Sequence, residues 1–145
     1  MKHILYLLVI LASQATLQAQ STDGDQILGK WEAFDKSGIY EVFKQDGKYF
    51  ARLIYGKLMR DAQGNLKKDT ENPDKSLRSR EWYLATFLWD LEYKGDNEYE
   101  DGTVYRFSSG SDYSCNAKVN GNTLTLSGYI GFSWISKSMD WYRVE

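Results

Sequence analysis

The chain has one proline, one cysteine and one histidine in 145 residues. Each scarcity excludes something. A lone cysteine, Cys115, can form neither an internal disulfide nor a thiolate metal cluster, so stability must come from a packed core. It sits in an alternating run, which marks it as a small apolar packing residue. The lone histidine is His3. The rest of the chain therefore cannot build Ser-His-Asp or Cys-His catalysis, nor the common His-containing zinc sites. No Gly-rich phosphate loop opens a helix. Neither sign of charge is in excess: 18 Lys plus Arg against 20 Asp plus Glu give −2, without the basic excess that meets nucleic-acid phosphates. No apolar run approaches the roughly 20 residues that span a bilayer as a helix, so stable membrane insertion is not expected.

The first residues read MKHILYLLVILASQATLQAQ. A polar start at Lys2 and His3, an apolar run from Ile4 to Ala12 and a polar, small-residue stretch ending at Ala19 have the layout of a secretory signal peptide. The expected organisation is a signal peptide over 1–19 and a single β-barrel domain over 20–145, exported to the periplasm or extracellular space. Cleavage would carry His3 away. No cysteine adjoins the cleavage position to hold a lipid anchor.

What the chain has is aromatic residues, 15% of the total, within a hydrophobic content of 42%, too high for a disordered chain. Gly, Asn and Asp recur between aromatic and β-branched runs, the punctuation of hairpins. Strands are predicted over Lys30–Phe34, Ile39–Lys44, Lys48–Tyr55, Tyr83–Tyr93, Thr103–Phe107, Tyr113–Val119, Thr123–Ile130 and Ser136–Val144. In the third, Tyr49, Ala51, Leu53 and Tyr55 share one face. Asp96–Gly102 reads as an acidic turn region, and Asn120-Gly121 as a type I′ hairpin turn. The segment from Gly56 to Arg80 breaks the rhythm, with one short helix predicted over Pro73–Arg78 and capped by Asn72. About eight strands in hairpin order predict an all-β fold, an antiparallel up-and-down barrel that removes exposed sheet edges. Such a barrel is packed solid or holds one small ligand.

Trp31 near the start and Arg143 near the end belong to strands that a closed barrel makes neighbours. A guanidinium over the indole would act as a structural closure. The aromatic residues Trp89, Tyr105, Tyr113, Tyr129 and Trp141 are candidates for the core, for the lining of a ligand cavity, or for both. Asp90 and Glu92 share a strand face; a carboxylate-pair hydrolase is one reading, and a plain solvent face is the favoured one. Acidic residues near 69–74 and 96–101 lack the spacing of the known calcium loop. No catalytic residue, metal site or cofactor is expected.

A longer pattern covers nearly the whole chain. Gly29-Lys30-Trp31, then Asp69-Thr70-Glu71-Asn72-Pro73-Asp74 with Leu77-Arg78, then Gly128-Tyr129-Ile130-Gly131 and Trp141-Tyr142-Arg143 occur in that order. The Gly-x-Trp start with its late basic residue resembles the lipocalin and wider calycin barrels. The full set resembles the exported bacterial family called domain of unknown function 2147. That resemblance implies a lipocalin-like barrel without an assigned activity. Three positions depart from the family's pattern. Arg106-Phe107 follows Val104-Tyr105 where the family tends to carry Asp-Pro. Ser127 stands where it tends to carry arginine, and Ser136-Lys137-Ser138 where it tends to carry Gly-Arg-Thr. The matched polar set is Asp69, Asn72 and Arg78. Asp69 and Asn72 read as structural, with Arg78 placed either to pair with Asp69 or Asp74 or to contact a ligand. The expected function is binding of a small apolar or amphipathic ligand. The alternative is an envelope protein- or glycan-interaction module, with Trp82 and Tyr99 as exposed contacts.

Overall fold

The computed structural model describes residues 23–129 and 136–145; the predicted signal peptide and Ile130, the end of the predicted seventh strand, lie outside them. Eight antiparallel strands close on themselves in sequence order. They are β1 (Gly29–Ala33), β2 (Gly38–Gln45), β3 (Lys48–Gly56), β4 (Thr86–Gly95), β5 (Glu98–Arg106), β6 (Ser111–Asn120), β7 (Thr123–Tyr129) and β8 (Ser136–Val144). Closure is the pairing of β1 with β8, in which Trp31 lies opposite Arg143.

The two ends of the barrel differ. One end has only two-residue turns. Asp46-Gly47 and Asp96-Asn97 both have positive φ at each position, the type I′ pattern that matches strand twist. The third turn corrects the predicted one. Asn120 pairs with Thr123, so Gly121 and Asn122 are its central residues, and only Gly121 has positive φ among the non-strand pair. The acidic region 96–102 is also corrected. Its turn is two residues long, and Glu98–Gly102 are strand, with Tyr99 and Gly102 buried between charged neighbours.

This end is packed solid. A 3₁₀ turn at Asp23–Ile27, which the residue pattern did not predict, caps it. Ile27 and Trp31 are fully buried. The indole N–H of Trp31 donates to the Ile27 carbonyl at 2.9 Å, and the Tyr99 hydroxyl to that of Gly24 at 2.6 Å. Tyr49 meets Tyr99 edge to face at 5.4 Å. Leu91, Cys115, Val119 and Leu124 fill the space between. A Cβ on Gly102 would sit 2.6 Å from Leu91 and 2.9 Å from Cys115 Sγ, so the absent side chain is what lets this layer close.

The two closure residues meet across the seam between the first and last strands. The Arg143 guanidinium lies 4.2 Å from the Trp31 ring centroid. Its nitrogens also donate to the carbonyls of Leu28 and Gln26. The arginine thus ties the last strand both to the first and to the capping turn.

The opposite end carries the long connections, including the excursion over 57–85. That segment holds two isolated bridges, Arg60 with Leu66 and Lys68 with Glu81. The predicted helix is a single 3₁₀ turn, Lys75–Leu77, whose cap is Asp74 rather than Asn72. Asn72 is committed elsewhere. Its Nδ2 donates to Asp69 and its Oδ1 accepts from the Asp74 N–H.

Candidate functional site

At the loop end the described residues surround open space. A cavity of about 540 Å³ lies there, within the range of small-molecule sites. Alternation along the strands selects its lining. Tyr40 of β2, Leu53 of β3, Val104 of β5, Tyr113 of β6, Leu126 of β7 and Trp141 of β8 all contribute. Trp141 stacks on Tyr40, with centroids 4.3 Å apart and planes at 29°, and lies 6.3 Å from Phe87. Phe107 is 6.4 Å from Phe87 and stacks on Trp82 at 5.2 Å. The result is an aromatic wall running from the barrel interior into the long loop. Burial lifts the Tyr40 hydroxyl above its ordinary pKa. Leu58 and Met139, 72% and 52% exposed, mark the mouth.

Two polar atoms break the apolar character. The indole Nε1 atoms of Trp82 and Trp141 are buried and have no hydrogen-bond partner among the described residues. A buried donor left unpaired costs about 1–3 kcal/mol, and both side chains line the cavity.

The loop wall is held by one buried carboxylate. Asp69 is fully buried. It accepts from the Tyr105 hydroxyl at 2.6 Å, from Asn72 Nδ2 at 2.8 Å and from Arg80 Nε and Nη2, each at 2.9 Å. Burial, and then the bond to Asp69, raises the Tyr105 hydroxyl well above its ordinary pKa. The Arg80 guanidinium also lies 5.9 Å from the Tyr105 ring centroid and 6.0 Å from that of Phe107. Beside this anchor, Gly110 has φ +66°, and a Cβ there would run into the Glu71 carbonyl. The turn after β5 therefore touches the long loop backbone to backbone.

The predicted ligand set divides. Tyr113 and Trp141 line the cavity, as does Tyr105, whose hydroxyl is already bound to Asp69. The Tyr129 side chain lies outside the described residues. Trp89 does not line the cavity; it faces an outer groove with Phe43, Phe50 and Pro73. The cause is irregular register between β3 and β4, with positive φ at Asp90, so Phe87 and not Trp89 reaches the interior. Arg78 is exposed and away from the cavity. Its Nε donates to the Asn72 carbonyl at 2.7 Å, while Arg80 takes the predicted pairing with Asp69. Nothing in a loop without periodicity separates the two arginines. Strand alternation could have found Tyr40, Leu53 and Leu126.

One further expectation, of exposed aromatic contacts, is corrected. Tyr99 is fully buried, and Trp82 is half-buried against Phe107, so neither is a free surface contact. Glu92 is ion-paired with Lys48 and Lys94, each at 3.0 Å. These lysines hold its carboxyl below the ordinary range, the opposite of what a general acid needs.

A family model described as "uncharacterized protein conserved in bacteria", domain of unknown function 2147, matches residues 29–143. The chain belongs to this family. A solved structure described as protein HP1028 from the human pathogen Helicobacter pylori, of the lipocalin family, is similar. It is 29% identical with a TM-score of 0.69, over 82% of this chain and 83% of that one. No curated protein matches. The matched span of this member of the family runs from the start of β1 to near the end of β8, so it takes in both the closure and the cavity.

Proposed function

We propose that this lipocalin-like barrel is an exported binding protein that holds one small apolar or amphipathic molecule in the cavity at its loop end. The observation that carries the reading is the cavity itself, about 540 Å³ of aromatic-walled space. It sits above a layer packed so tightly that a single added methyl group would collide. Among the described residues the core fills one half of the barrel, and in the other an apolar, aromatic lining faces the cavity, where a ligand would supply it with contacts. The unpartnered indole N–H of Trp82, in the loop wall beside Phe107, favours a ligand that carries an acceptor oxygen. Export rests on the layout of residues 1–19.

Binding is tested by displacement of a neutral polarity-sensitive dye from the purified protein, alongside mass spectrometry of the natively purified complex. Dye binding that long-chain alcohols and acids compete away, and that Trp141→Ala weakens, is the expected result. An absence of dye binding, of displacement and of co-purified ligand would overturn the reading. The alternative, docking to an envelope protein or glycan, has one supporting feature. Phe34 and Tyr142 are exposed together with ring centroids 5.9 Å apart. That is two side chains, against a whole cavity.

A further inference from the structure

The placement of charge around the cavity narrows the ligand class. Resting on the cavity reading above, we propose that the ligand is a single-tailed amphipathic anion, with its tail on the aromatic floor and its acidic head group on Arg106.

The lining contains no Asp, Glu or Lys, and Arg106 is its one charged residue among the described residues. Position along β5 explains why it is there. Val104 and Arg106 are two apart on a strand and so share a face, and both line the cavity. Val104 lies opposite Tyr113, and the Arg106 guanidinium rests over the Tyr113 ring, 5.3 Å from its centroid. A cation–π contact takes up none of the guanidinium's hydrogen bonds, so its N–H fork is left for a planar or tetrahedral anion. No side-chain hydrogen bond or ion pair of Arg106 occurs among the described residues. By contrast, Arg52 and Arg80 are spent on Glu41 and Asp69, and Arg143 on two backbone carbonyls.

Polarity changes along the cavity in the sense such a ligand requires. Leu53, Phe87, Leu126 and Trp141 are buried at the floor, while Arg106 and Ser108 are exposed at the mouth. An ammonium head group would meet a like charge there. A neutral one would leave the fork unused. Carboxylates and sulfate esters share the required charge and acceptor oxygens.

The test uses the same neutral dye and four competitors with identical tails: tetradecanoate, tetradecyl sulfate, tetradecanol and tetradecyltrimethylammonium, each kept below micelle formation. Both anions are expected to displace dye at concentrations about tenfold or more below tetradecanol, a charge-assisted hydrogen bond being the difference. The ammonium should be the weakest. Arg106→Gln should abolish that preference, bringing both anions to the concentration range at which tetradecanol displaces the dye from the same variant. A preference for one anion over the other would name the head group. Equal displacement by alcohol and anions, or a preference that survives Arg106→Gln, would overturn the anion inference and leave the cavity reading standing. Displacement by none of the four would overturn both.

Discussion

At the scale of single residues, Cys115 shows how placement decides chemistry. It is 1% exposed and packs against the space that Gly102 leaves open. Burial pushes its thiol up to about 12 from an ordinary value of 9.0. The thiolate is the reactive form, so the native protein near neutral pH holds an inert thiol. Iodoacetamide at about pH 8 should label it only through unfolding, whereas protein in denaturant should react like a free thiol. Labelling of the native protein at the free-thiol rate would contradict this. The sign for stability follows. Between 9.0 and about 12 the folded thiol keeps a proton that the unfolded one loses. Its contribution is therefore full below 9.0 and is lost as pH rises through about 12. Burial also raises the pKa of Tyr99 and Tyr105, so alkali acts on all three in one direction. The inward position of Cys115 was legible because alternation in β6 is unbroken. That of Phe87 was not, because the irregular register beside β4 shifts the face that each residue presents.

At the scale of an element, the excursion over 57–85 stands on Asp69. Its carboxylate gathers a hydroxyl, an amide and a guanidinium. Removing one partner of a buried charged set is costly because the others are left unpaired. Asp69→Ala is expected to destabilise by about 3–5 kcal/mol, and Tyr105→Phe by about 1–3 kcal/mol, both read by urea unfolding. The damage should show first as protease cuts and faster amide exchange within 57–85, ahead of the barrel strands. Wild-type cutting in Asp69→Ala would show that the anchor carries no weight. The sequence marked Asp69 and Asn72 as structural. It misassigned the arginine because a loop has no period from which to read side-chain direction.

At the scale of the whole molecule, the barrel depends on a contact between its two ends in sequence. Arg143 faces Trp31 across the β1–β8 seam and also holds the capping turn. Arg143→Ala should cost about 2–4 kcal/mol, combining a cation–π contact with carbonyls left without a donor. Lysine at this position should recover less than half, since an ammonium lacks the planar fork. Thermal and urea unfolding check both, and full recovery by lysine would mean that charge alone matters.

Hairpin order, the eight-strand count and the closure pair follow from the sequence itself. Turn residues and two-residue alternation are local signals, and closure needs only that the first and last strands meet. Which half of the barrel is solid and which holds the cavity was decided by the tertiary structure. That outcome depends on a missing Cβ at Gly102, on a 3₁₀ turn folding under one end, and on a loop anchored across 36 residues from Asp69 to Tyr105. Each is a contact between distant parts of the chain, and no local pattern encodes the space left between them.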